Sequence, residues 1–341
     1  MPFRVISWIE FLRTEGDPPN HTKGSTLGSS PTVREGSSDD PSTNREHLKP
    51  QTPKQKPKSK FAGIPPSIAR VLTAVVLLPI LIASIVIARL ALLFVLIAAV
   101  AMVIALYEFW LLARRQQVKA DLATMFLGGV ALLTIFYFAD PRTGVDFEMM
   151  QAIVLVFTMG ALASAMLRGA PFDKMIMSVG ATVLGVLYVV LLGGHLVAVR
   201  VGFAAPLSRH LLAFFFLVIM SADSAAYYGG RMFGSHKLAP GISPGKTWEG
   251  AIAGMMISLL AAALAHVWFF PELPLRFALP LAAAMNVLSV VGDLTESALK
   301  RSAGAKDTAN ILPGHGGVLD RLDSLLFNAP VIYYFARLYF K

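Results

Sequence analysis

Apolar stretches of about twenty residues, separated by short polar loops, recur along the chain from residue 67 to residue 338. That length is what a helix needs to cross a bilayer, where it satisfies its own backbone hydrogen bonds. The pattern predicts about nine transmembrane helices, over 67–88, 90–112, 121–138, 149–167, 175–199, 208–230, 249–270, 277–299 and 318–338. The first two nearly touch, which predicts a hinge near Arg89. The fold class expected is all-α, a polytopic integral membrane helix bundle.

Residues 1–62 break this pattern: they are rich in Ser, Thr, Pro, Gly, Asn and charge and carry no sustained apolar run. They predict a disordered polar and basic N-terminal tail, followed by a transmembrane domain over 63–341. Lys49 to Lys60 holds five lysines and no acid, which places the N-terminus in the cytoplasm by the positive-inside rule. Alternation from there puts Arg114, Arg115, Lys119, Arg168, Lys174, Arg231, Lys237, Lys246, Lys300, Arg301, Lys306 and Arg321 inside. The outer loops hold few, among them Arg142, Arg200, Arg209 and Arg276.

Composition sharpens the picture. With 55% hydrophobic and 15% charged residues, the chain is too apolar for a soluble domain. The net charge of +9 comes from basic residues scattered among loops, which argues against a nucleic-acid partner. The sequence contains no cysteine, so disulfides, thiolate metal sites and cysteine nucleophiles are excluded, and any metal must bind oxygen or imidazole.

Two segments are polar where a plain bundle would not be, and the alternation puts both at the cytoplasmic face: 221–250 and 291–324. In the second, Asp293 lies inside the eighth predicted span, where a carboxylate is costly unless paired or metal-bound. Asp293, Glu296, Ser297 and Lys300 share one helical face, and Asp320 and Asp323 open the ninth span. Carboxylates from two neighbouring helices can hold a divalent ion between them, and hard oxygen ligands favour Mg²⁺. Gly314, Gly316 and Gly317 stand before a helix N-terminus that attracts phosphate. Ser243 to Thr247 offers hydroxyls, a glycine and a cation at the start of another helix; Ser243 or Thr247 serving only as a helix cap is the alternative. Ion pairs capping two helix ends are the plainer reading of the charges in 291–324.

The residues here carry a resemblance. Ser297, Lys300 and Arg301, then Lys306, Asp307 and Ala309, then Leu312, Pro313, His315, Gly316, Gly317, Asp320, Arg321 and Asp323 resemble the signature of the CDP-diacylglycerol synthase, or phosphatidate cytidylyltransferase, family. Asp223, Ala226, Tyr227, Gly230, Arg231, Phe233, Gly234 and the run from Ser243 to Gly250 resemble its other polar stretch. One departure stands at Gly245, where the family often has lysine. The resemblance extends over roughly 65–341 and leaves the tail unexplained.

The resemblance implies a Mg²⁺-dependent nucleotidyltransferase of phospholipid biosynthesis: CTP and phosphatidate give CDP-diacylglycerol and pyrophosphate. It implies Asp293 and Asp320 as metal ligands, with a second cation left open. Lys300, Arg301, Lys306, Asp307, His315, Arg321 and Asp323 complete the implied catalytic set. Asp223, Ser243, Lys246, Thr247, Ser297, Gly316 and Gly317 are implied in substrate binding. The implied setting is multi-pass in the cell (inner or plasma) membrane, with the N-terminus and active site cytoplasmic, the bilayer as partner, and a homodimer. A CTP-dependent lipid kinase and an ion-coupled transporter are the competing readings. His195 and His266 are expected as packing residues, and Glu108, with Tyr107 and Trp110, as an interface anchor with access to the cavity.

Overall fold

The computed structural model describes the backbone of residues 66–170, 172–305 and 316–340, with side chains from residue 75 onward. The tail 1–62 and the site candidates Lys306, Asp307 and His315 lie outside the described residues.

Among the described residues, a helix stands under each predicted span: α1 (Pro66–Val86), α2 (Ala88–Arg115), α3 (Leu122–Tyr137), α4 (Phe147–Leu167), α5 (Met175–Val201), α6 (Ala205–Phe233), α7 (Trp248–Trp268), α8 (Leu275–Ser302) and α9 (Leu319–Tyr339). The starts are chemically marked. Asp121 accepts from the amides of Ala123 and Thr124, Asp146 from Met149, and Thr247 from Gly250, each satisfying an amide that the first turn leaves without a partner. The α1–α2 hinge falls where it is predicted: Ile87 is extended and a 3₁₀ turn follows over Ala88–Leu90.

Six of these helices (α2, α4, α5, α6, α7 and α8) are long and apolar enough to cross a membrane. Only 22–39% of each apolar window is buried, so most of these side chains face outward, as Leu96, Val100, Leu155, Met159, Ile252 and Met256 do. A soluble helix would put polar residues there, so the outward faces belong in lipid and the chain is a multi-pass membrane bundle.

The second half of α5 is the central rod, packed by α2, α3, α6 and α9 and buried from Gly193 to Arg200. His195 lies there among Phe136, Tyr333 and Tyr334 with its Nδ1 2.8 Å from the Leu191 carbonyl, the packing role expected of it. His266 likewise meets the Leu273 carbonyl at 2.9 Å. The helix α6 runs along α7, α7 along α8, and α8 along α9. Gly292 lets α8 approach α9 closely; a Cβ there would sit 2.5 Å from the Asp323 carbonyl oxygen.

Loops predicted to share a face also touch one another. Arg200 and Arg209 donate to carbonyls at the end of α1, and Arg337 donates to Pro141 and Arg142. From the other set, Gln116 donates to Ser302, and Arg168 to Lys119.

The all-α bundle carries one small element that is not helical. The polar segment after α6 folds into an antiparallel hairpin, β1 (Lys237–Ala239) and β2 (Ser243–Thr247), pairing Lys237 with Thr247 and Ala239 with Ser243. Pro240 and Gly241 interrupt helical continuation, and His236 closes the base by meeting Glu249 at 2.6 Å.

Candidate active site

The hairpin and helices α6, α8 and α9 enclose a cavity of about 600 Å³. Asp223 enters it from α6, Lys246 from β2, Asp293 from α8, and Asp320, Arg321 and Asp323 from the first turns of α9. Dense charge at the end of an apolar bundle is thus drawn to one space rather than spread around the rim.

Within it the charges sort into two groups. Asp223, Asp293 and Asp323 repel one another, and Lys246, 2.6 Å from the Asp293 carboxylate, offsets them. Asp293 keeps 41% of its side chain exposed, and Asp223 is exposed as well. Asp223 and Asp323 converge on Ser324, whose hydroxyl reaches Asp223 at 3.4 Å while its amide donates to Asp323 Oδ1 at 2.7 Å. Deeper between α8 and α9, Lys300 bridges Glu296 at 2.6 Å and Asp320 at 2.9 Å. Asn328 extends the polar seam inward, donating to the Ser289 hydroxyl and the Ser324 carbonyl.

The expected pair, Asp293 and Asp320, lines the same cavity, yet each carboxylate has its own lysine, and the carboxylates acting on Asp223 and Asp323 include Asp293. Among the described residues no three of His, Asp or Glu form a closed metal cage. The donor chemistry nevertheless fits Mg²⁺: hard oxygens, an accessible Asp293, and an excess of negative charge around one lysine. An ion that retains waters and arrives on a triphosphate needs only one or two protein carboxylates.

Other candidates sit differently from expectation. The α9 N-terminus, expected to attract phosphate, already holds anions of the protein itself. Val318 and Leu319 donate to the Glu108 carboxylate at 3.0 and 2.7 Å, and Gly317 donates to Asp320 Oδ2 at 3.2 Å. Gly316 stands at φ 80°, a backbone conformation that favours glycine. Thr247 lines the cavity and caps α7, its hydroxyl accepting from the Gly250 amide. Arg301 turns to the hairpin and donates to the Ile242 carbonyl at 3.3 Å. Ser297 is buried in α8, and Ser243 sits at the start of β2 facing Ala239. Ser289 and Ser324, which line the cavity, carry no signal in the sequence, since isolated serines in apolar helices are common. Glu108 does carry one: a lone acid in an apolar run, here fully buried.

The sequence model described as the cytidylyltransferase family matches residues 68–339, which takes in every element around the cavity. The chain belongs to the cytidylyltransferase family. Similar proteins include the phosphatidate cytidylyltransferase of Bacillus subtilis, 35% identical over 207 residues, covering 60% of this chain and 72% of that one. That of Haemophilus influenzae is 44% identical over 129 residues, 37% of this chain and 45% of its own. That of Pseudomonas aeruginosa is 43% identical over 127 residues, 37% and 47%. Apart from the Bacillus match, the chain spans about half the length of these curated relatives.

Proposed function

We propose that this protein is a phosphatidate cytidylyltransferase: it transfers the cytidylyl group of CTP to phosphatidate, forming CDP-diacylglycerol and releasing pyrophosphate. The observation that carries the reading is the cavity itself, where Asp223, Asp293 and Asp323 surround Lys246 at the end of an apolar bundle in a chain of this family.

In the reaction, a phosphate oxygen of phosphatidate forms a bond to the α-phosphorus of CTP as the bond from that phosphorus to the bridging oxygen of pyrophosphate breaks. The nucleophile is already anionic, so no general base is needed; the demand is for charge neutralisation and in-line alignment. A Mg²⁺ ion held by Asp293, with Asp320 or the facing Asp223 and Asp323, would neutralise phosphate charge there. Lys246 leaves Asp293 and takes up triphosphate charge, and Arg321 supplies a second cation at the cavity wall. Ser324 holds Asp223 and Asp323 in register. The acyl chains remain in lipid beside the outward-facing apolar helices, while the headgroup meets CTP in the cavity.

Nine spans, a cytoplasmic N-terminus and a cytoplasmic cavity form the topology of this reading, supported by the helix under each predicted span and by the loop contacts described above. The protein acts in the cell membrane as a homodimer. The test is an assay of detergent-purified protein with phosphatidate, Mg²⁺ and CTP labelled at the α- or the γ-phosphate, with EDTA as control. Label from the α-position entering the lipid, abolished by EDTA, is expected. Label from the γ-position alone would mean a lipid kinase.

A further inference from the structure

Among the described residues, buried side-chain polar atoms of Tyr188, Arg200, Glu296 and Asn328 lack a hydrogen-bond partner, and the Tyr188 hydroxyl is the donor that the cavity carboxylates act on. Tyr188 is 6% exposed, and its hydroxyl has no hydrogen-bond partner among the described residues. It lies on a π turn, Leu187–Leu191, that interrupts α5. Such a turn widens the helix by one residue and re-aims the side chains on it, at a cost in hydrogen bonding that ordinary packing does not require. Here it directs Tyr188 between Phe109 of α2, with ring centres 6.3 Å apart, and Phe327 of α9, at 6.2 Å.

Phe327 sits one turn beyond Asp323, so the tyrosine ring lies against the α9 face that carries this carboxylate. Gly292, next to Asp293, meets that face from α8: a Cβ on it would lie 2.5 Å from the Asp323 carbonyl and 3.1 Å from the Phe327 ring. Asp323, Glu296 and Asp293 are the carboxylates near enough to act on the buried hydroxyl. The donors to Asp323 are the amide and hydroxyl of Ser324, and both use Oδ1; Oδ2 accepts from none of the described residues. A buried donor, for which an unmade hydrogen bond is costly, thus stands near a cavity-lining carboxylate oxygen with capacity to spare.

We propose that Tyr188 is a positioning residue of the transfer reaction: its hydroxyl donates to the Asp323 carboxylate and fixes its orientation when the triphosphate is bound. The inference rests on the cytidylyltransferase reading. The phenol does not touch the reacting atoms; it sets the plane of a carboxylate that faces Asp293, as the supporting groups behind metal- and phosphate-binding carboxylates do.

The test compares purified wild type, Tyr188→Phe and Phe327→Leu by α-label transfer, by unfolding temperature, and by the rise in that temperature on adding CTP and Mg²⁺. Tyr188→Phe keeps the ring and removes the hydroxyl, so its unfolding temperature should stay within about 2 °C of wild type. Its kcat should fall about tenfold or more, and its CTP-induced thermal shift should shrink. Phe327→Leu perturbs the same packing without touching the hydroxyl, so it should lose stability while keeping most of its kcat. Wild-type kcat with an undiminished thermal shift in Tyr188→Phe would overturn the proposal, and so would unfolding of that variant. If wild type transferred no label, the cytidylyltransferase reading would fall instead, and the thermal shifts would still report whether Tyr188 serves the bound triphosphate.

Discussion

The ammonium group of Lys246 lies 2.6 Å from Oδ2 of Asp293, tying the hairpin to α8 across the mouth of the cavity. The lysine is 21% exposed and the aspartate 41%, so water screens the pair and its contribution to folding is at most about 1 kcal/mol. Lys246→Met should therefore leave the unfolding temperature nearly unchanged. If Lys246 carries triphosphate charge, the same variant should lose about 100-fold in kcat/KM for CTP. Steady-state kinetics beside a thermal melt checks both halves.

Glu108 has the opposite character. It is fully buried, and both its oxygens accept amides from the first turn of α9, 210 and 211 residues further along the chain. An acid at a helix N-terminus is favoured by the helix dipole, and its removal strands two buried donors. Glu108→Ala should destabilise the protein by about 2–4 kcal/mol and lower kcat, because Asp320 and Asp323 ride on the turn it anchors. Thermal unfolding in detergent, paired with the transfer assay, measures this.

Gly292→Ala places a methyl group against the Asp323 carbonyl and the Phe327 ring, at 2.5 and 3.1 Å. Neither neighbour is the loose end of a flexible chain, so α8 and α9 must separate, at about 1–3 kcal/mol. Activity should fall with stability here, in contrast to Lys246→Met.

At the other end of the bundle, Asp140 accepts from the amides of Arg142 and Thr143 at 2.7 and 3.1 Å. These bonds hold its carboxyl below the usual 3.8, with smaller help from Arg142 and Arg337. The group's folded pKa is depressed, so its stabilisation is complete above that ordinary value and is lost as pH falls through the lower one. Amide exchange at Arg142 and Thr143 should be faster in Asp140→Asn than in wild type at neutral pH, and the difference should vanish as pH falls through the depressed folded value.

The helices were legible because an apolar run of bilayer length leaves the backbone little alternative, and Asp121, Asp146 and Thr247 mark three of their starts in the sequence. The Lys300–Glu296 contact was legible as an i, i+4 pair on one face. The hairpin was not, since β1 spans three residues and β2 contains Pro244, so neither shows strand alternation. Nor was the pairing of charges: Lys246 and Asp293 lie on different elements, and only the packing of α7 between α6 and α8 brings them together. The α9 start, expected to attract phosphate, meets Glu108, which lies too far away in sequence for local reasoning to supply it. The π turn at Leu187–Leu191 leaves no mark, because its residues are ordinary members of an apolar run.

The account depends most on Asp293, an accessible carboxylate that lines the cavity. Asn is its isostere and retains an oxygen for Lys246, so Asp293→Asn should purify folded, with an unfolding temperature close to that of wild type. The deciding measurement is transfer of α-label from CTP to phosphatidate by this variant in saturating Mg²⁺. Turnover reduced to background is the predicted result, and near-normal turnover would contradict the account.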